Sequence, residues 1–254
     1  MTHSAERLRT SAARVARLRL AALQTSDPGF RDSLTALKRF QAERLTQTHC
    51  DLLESPRYRL ATKFFLEDLY GEKDFSQRDA ELSRVIPTLT RFLPEQALAT
   101  IADAIELDAL SEYLDQKMAA EGLKEFGALW SKSRYGEAYR AIGGRSETDA
   151  VGEWAESGFA LRERQLGLVP KIAQTLDRLV KNPLLGGLLA TMAGPARVAG
   201  VPAMHDFLTR GFKAFQSMRG AKEFIAIVDE RERTLSARIF AGEDMAVESS
   251  GASR

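Results

Sequence analysis

The sequence predicts an all-α protein, folded as a single irregular bundle of about eight or nine helices. Three observations predict it. Every long patterned segment repeats its apolar residues at helical spacing. No stretch sustains the alternation of apolar and polar residues that a half-buried strand requires. A capping residue followed by proline recurs at Asp27-Pro28 and Ser55-Pro56, where the missing proline N–H costs a helix start nothing.

The elements follow in order. Residues 1–24 form a basic amphipathic first helix, with Leu8, Ala12, Val15, Leu18 and Ala22 on one stripe and Arg7, Arg14 and Arg17 beside it. The same acid-poor, Arg- and Ser-rich stretch also reads like a transit peptide, and the helical reading is preferred. A second helix runs from Pro28 to about Leu53, and a third from Tyr58 to Tyr70, stopping at Gly71. Ser76 with Asp79 forms a variant capping box, followed by the stripe Leu82, Val85, Ile86, Leu89 and Leu93, kinked or restarted at Pro87. Pro94 opens the next helix, with Leu98, Ile101, Ala102, Ile105, Ala109, Tyr113 and Leu114 inward.

From Gly122 to Gly144 the glycines predict short helices and turns. Ser146 and Asp149 signal another start, for a helix that carries Val151 and Trp154 and bends at Pro170, with Leu176, Leu179 and Val180 extending its apolar face. After Asn182-Pro183 comes a small-residue run, LLGGLLATMAGPA, whose glycines fit close helix contact or a hinge. Pro202 starts a helix with Met204, Phe207, Leu208, Gly211, Phe212 and Phe215 on one face. The last helix runs from about Ala221 to Phe240, with Phe224, Ile225, Val228, Leu235 and Ile239 inward and the charged DERER run outward. Residues 1–245 are expected to form one domain and 246–254 a flexible tail.

Composition bounds the function. With 44% hydrophobic and 28% charged residues the chain has the balance of a folded globular protein. Its 36 Lys and Arg against 35 Asp and Glu give a net charge of +1, so nucleic-acid binding is not expected and any basic surface is local. The single cysteine, Cys50, excludes an intramolecular disulfide and a cysteine-built zinc site, which fits a cytoplasmic location. The longest charge-free apolar run, Leu184 to Ala196, is short of the roughly 20 residues a bilayer-spanning helix needs.

Catalytic patterns are sparse. His3, His49 and His205 form no HExxH or ExxH arrangement, and His49 and His205 read as surface or helix-end histidines, with axial ligation of haem the alternative. Asp103 with Glu106, and Glu67 with Asp68, could pair as acid and base or bind a hard metal, but charges on helices usually form solvated faces, and these are expected at the surface. Cys50 and His49 are adjacent, and successive helical side chains diverge by 100°. No GxSxG, P-loop or dinucleotide-binding glycine pattern occurs.

One segment stands out, FFLEDLYGEKDFSQRDAEL from Phe64 to Leu82. Phe64, Phe65, Leu66, Leu69 and Tyr70 make its helix apolar around much of its circumference, which predicts a central position. Beyond it, Asp74, Arg78 and Asp79 cluster at a capped helix start, where Arg78 can tie the turn by charge-assisted bonds or contact a ligand. The segment resembles a family of uncharacterised bacterial all-helical proteins that carry FFLxxLYG followed by DFxxRDxxL. Residues 207–240 resemble that family's closing helices more weakly. The resemblance implies an α fold and a bacterial origin, and it transfers no catalytic residue or cofactor.

Packing signals without a catalytic constellation favour a non-enzymatic module that binds a protein partner, or itself, or acts as a regulator, with the Arg-rich first helix as docking element. A second reading is a binder of an apolar small molecule or haem, in a pocket lined by Phe64, Phe65, Tyr70, Phe212 and Phe215. A third is a metal-dependent enzyme using Glu67, Asp68, Asp103 or Glu106.

Overall fold

The structure, a computed structural model, describes residues 3–25, 27–69, 81, 84–87, 89–91, 93–126, 129–143, 154 and 156–243. Eleven α-helices and one π-helical segment make up the ordered elements among them, and no strand. They are α1 (His3–Gln24), α2 (Pro28–Thr48), α3 (Cys50–Glu54), α4 (Arg59–Lys63) with the π-helical turn Phe64–Leu69, α5 (Glu95–Phe126), α6 (Lys132–Gly143), α7 (Gly158–Leu179), α8 (Pro183–Thr191), α9 (Ala193–Val198), α10 (Pro202–Ser217) and α11 (Lys222–Phe240). Residues 84–87 and 89–91 are also helical.

The fold is organised around α5. Leu98, Ala102, Ala109, Leu110, Leu114, Met118 and Ala119 are almost fully enclosed and recur on adjoining faces, so this helix is apolar over most of its circumference and must be surrounded. α1, α2, α6 and α7 pack against it. All five residues of the predicted α1 stripe are buried, and Leu8 and Ala12 share a cluster with Leu98 and Ala102 of α5. A second group of helices, α4 with its π turn, α10 and α11, encloses Phe65, Leu66, Phe215, Phe224 and Val228.

The all-α class is as the sequence predicts, with more segments than the apolar stripes imply. His49 interrupts the predicted second helix, with φ −118° and ψ 22°, and separates α2 from α3. Met192 likewise divides the small-residue run into α8 and α9. Neither break disturbs the apolar spacing, so the pattern alone does not show it. Capping holds at Asp27, whose Oδ1 accepts from Gly29 N at 2.9 Å, and the structure adds a cap at Asn182, whose Oδ1 accepts from Leu184 N at 3.0 Å. Ser55-Pro56 instead leads through a turn, and α4 starts three residues beyond the proline.

Two boundaries move. α5 continues through Gly122 to Phe126, where the glycines predict turns. Gly122 sits under the Trp130 indole, and a Cβ there would lie 2.8 Å from Trp130 Cη2, so the glycine serves packing rather than a turn. The helix predicted to carry Trp154 begins only at Gly158, capped by Ser157 Oγ, which accepts from Ala160 N at 3.2 Å. Trp154 is nonetheless buried before it, between Tyr113 and the Arg14 guanidinium, which lies 4.4 Å from its ring centroid. Ser76, Leu82, Ser146, Asp149, Val151 and the tail from 246 lie outside the described residues.

Candidate functional site

Four acids of α5, Asp103, Glu106, Glu112 and Asp115, carry most of the buried charge among the described residues. Asp103 and Glu106 both receive the Arg7 guanidinium, at 2.7 and 2.9 Å, while Glu106 also pairs with Arg164 and Asp103 with Lys171 at 2.8 Å. These carboxylates were expected at the surface and are buried instead. Asp68 is the same: it is buried and receives Arg210 of α10 at 2.9 Å, whereas its neighbour Glu67 faces solvent. A buried carboxylate is tolerable when a cation meets it, and here each cation comes from a helix far away in the chain.

Two turns along, Glu112 and Asp115 sit one helical turn apart and face α2. Lys38 Nζ reaches Glu112 at 2.8 Å, Gln116 donates to it at 2.8 Å, and Gln41 donates to Asp115 at 2.9 Å. Burial pushes Glu112 up, but the Lys38 charge, these hydrogen bonds and Arg19 outweigh it and hold the carboxyl below its ordinary range. Asp115 has less help. Burial pushes it up to about 6, opposed by the Lys38 charge and the Gln41 bond and reinforced by Glu112. Buried beside it, Arg162 spans Gln165 at 2.7 Å, the Met118 sulfur at 3.4 Å and the Tyr139 ring at 4.1 Å.

The raised Asp115 value sets a sign. The folded state binds this proton more tightly than the unfolded chain, so its contribution is fully present below the ordinary aspartate value of about 3.9 and is lost as pH rises through about 6. Asp115→Asn should therefore stabilise the protein more at pH 7 than at pH 4, the difference between the two being about 2 kcal/mol. Urea unfolding at both pH values measures it, and equal effects would mean Asp115 ionises normally.

The second charged centre joins α2 to α11. Arg44 donates to both carboxylate oxygens of Glu232 at 2.8 Å, and His49 Nε2 lies 3.3 Å from Glu232 Oε1. The Arg44 and Glu232 side chains are 12% and 17% exposed and His49 is fully buried, its ring edge-on to Phe65. Burial pushes Glu232 up, but Arg44 and His49 outweigh it and hold the carboxyl at about 2. Glu232 belongs to the DERER run expected to face outward, and it points in. His49, read as a surface or helix-end residue, occupies a helix junction but is enclosed there. His205 donates from Nε2 to the Leu189 carbonyl at 2.9 Å, and its Nδ1 lies 3.6 Å from Asp206.

The predicted aromatic site divides. Phe64, Phe65 and Phe215 are buried, and Phe212 is partly buried against the same cluster. Phe65 and Phe215 share one core cluster, while Phe64 packs on Phe207 at 5.4 Å between ring centroids and lies over Gly211. The π turn brings Phe64, Phe65, Leu66 and Asp68 inward together. Tyr70, Asp74, Arg78 and Asp79 lie outside the described residues. Two shallow clefts lie elsewhere. One of about 270 Å³ is lined by Glu121, Arg134, Glu137 and Arg140 among others, and one of about 330 Å³ by Arg57, Lys222 and Glu223. Among the described residues no group of three or more His, Cys, Asp and Glu could hold a metal ion.

Exposed large apolar side chains occur at Leu20, Leu23, Leu60, Leu69, Leu129 and Phe159, and three more lie close together in the chain on α8 and α9. None of the nine α8 residues is buried, and Leu184 is 79% exposed, Leu188 42% and, on α9, Val198 92%. Gly186 faces inward, 3.2 Å from Phe212 measured from where its Cβ would lie, but Gly187 and Gly194 have open space beside them. A surface helix ordinarily turns charges to water, and α8 has none to turn. On α1, expected as the docking element, the predicted apolar stripe is occupied by the core, while Leu20 and Leu23 outside that stripe are exposed.

A family model matches residues 20–246, nearly the whole chain. The chain belongs to the DUF8198 family, a domain of unknown function. No curated protein and no solved structure matches it. In this DUF8198 chain the sequence reading missed Lys38, Gln41, Arg44, Glu112, Asp115 and Glu232. A signal for them exists: Gln41 and Arg44 interrupt the α2 stripe of Leu34, Leu37 and Leu45 at positions where apolar residues belong.

Proposed function

We propose that this DUF8198 chain is a non-enzymatic docking module that attaches to a macromolecular partner through the outward face of α8 and α9. The exposure of Leu184 and Leu188 on the charge-free run, and of Val198 just beyond Arg197, carries this reading. Single exposed apolar residues are ordinary, whereas several in one stretch mark a surface that something covers. The acids in the most perturbed environments, Asp115 and Glu232, support it from the other side. Each is engaged between helices by residues of the fold, Gln41 in one case and Arg44 with His49 in the other, so they serve to set helix register rather than to meet a substrate.

The test uses Leu184→Glu/Val198→Glu. Both side chains are exposed, so the variant should melt within about 1 °C of the unaltered chain, surface changes being nearly neutral. In fractionated host extract the unaltered chain should run with a larger assembly or particulate fraction and the variant as free protein. Identical elution of the two would overturn the docking role.

A further inference from the structure

We infer that the partner is an anionic lipid surface, on which α8 and α9 lie without crossing it. This rests on the docking role proposed above and names the chemistry of what is docked.

Charge decides between occupants. From Asp177 to Glu223 the chain carries seven Lys and Arg, at 178, 181, 197, 210, 213, 219 and 222, against three acids, Asp177, Asp206 and Glu223; Lys181 pairs with Asp177 at 2.7 Å and Arg210 with Asp68 at 2.9 Å. All seven cations are exposed. With a net charge of only +1 for the whole chain, the remainder is net acidic, so positive charge is concentrated in the same segment that exposes its apolar residues. Arg178 and Lys181 precede the apolar run and Arg197 follows its last charge-free residue. An apolar stripe flanked by cations on an otherwise acidic protein fits the boundary between acyl chains and anionic headgroups: leucine and valine enter the apolar layer while lysine and arginine stay at headgroup level. A second copy of this chain fits worse. An isologous contact would bring Arg178, Lys181 and Arg197 toward the same residues of the other copy, with only Asp177, already paired with Lys181, and Asp206 nearby in the chain to offset them.

Length excludes crossing. α8 has nine residues, about 14 Å at 1.5 Å per residue, against a hydrocarbon core of about 30 Å. No described helix of the structure is long and apolar enough to cross a membrane.

Flotation of the full chain with vesicles tests this. The chain should float with phosphatidylcholine–phosphatidylglycerol vesicles, several-fold less with phosphatidylcholine alone, and less with the mixture as salt is raised. Lys181→Gln and Arg197→Gln, at exposed positions, should each weaken binding to the mixed vesicles about fivefold. Leu184→Glu/Val198→Glu should abolish flotation on both vesicles while its circular-dichroism melt stays unchanged. Equal flotation on both vesicles, or none on either, would overturn the lipid assignment. If the chain then still runs with an assembly in extract that the double variant loses, the docking role stands and an acidic protein is the occupant. If it runs alone, both readings fail.

Discussion

Replacing Glu232 by alanine is expected to destabilise the protein by about 3–5 kcal/mol, the cost of leaving a buried cation without its partner. Arg44 would lose both of its carboxylate bonds and His49 the one partner of its Nε2. Arg44 Nε and His49 Nδ1 already lack hydrogen-bond partners, so little local polarity is left to compensate. Removing both charges with Arg44→Met/Glu232→Met should recover most of that loss, because two apolar side chains no longer pay for desolvating ions. Urea unfolding followed by circular dichroism measures both variants, with an unchanged slope identifying a change in stability alone. A loss below about 1 kcal/mol for Glu232→Ala would put the pair in the class of solvated surface bridges and remove the argument. The effect also has a pH signature. With Glu232 held at about 2, its contribution is fully present above the ordinary glutamate value of about 4.3 and fades as pH falls toward 2, so the gap between the unaltered chain and Glu232→Ala should narrow in acid.

Gly158→Ala should cost about 3 kcal/mol or more, at the upper end for overpacked sites. Gly158 opens α7 directly against the end of α6, and a Cβ there would overlap the Ile142 carbonyl. A side chain in the way could rotate aside, but a backbone carbonyl moves only with its helix. Gly187→Ala is the matched control. Nothing lies within 4 Å of its would-be Cβ, so the substitution should stabilise by up to about 1 kcal/mol through helix propensity. Thermal melts of the two variants should move in opposite directions. A neutral Gly158→Ala would mean that α6 and α7 do not meet as closely as described.

How much of this was legible in the sequence depends on what each signal measures. The stripe of Leu8, Ala12, Val15, Leu18 and Ala22 was readable because apolar spacing reports directly which side of a helix is enclosed, and all five are buried. The same reasoning misplaced Asp68, Asp103, Glu106 and Glu232, because a charged residue reads as solvent-facing unless its partner is known. Those partners, Arg210, Arg7, Arg164 and Arg44, come from helices distant in the chain, and periodicity within one segment carries no trace of them. The α8–α9 surface failed for the converse reason. Its run of leucine, glycine and alanine reads equally as buried packing or as an open face, and only the position of α10 beneath it shows which residues remain uncovered.

The closure of α2 onto α11 has a consequence for biosynthesis. Arg44 leaves the ribosome 188 residues ahead of its neutralising carboxylate. Throughout that interval a nascent chain cannot bury this part of α2 without stranding a cation in apolar surroundings, so its final docking waits on α11 to emerge.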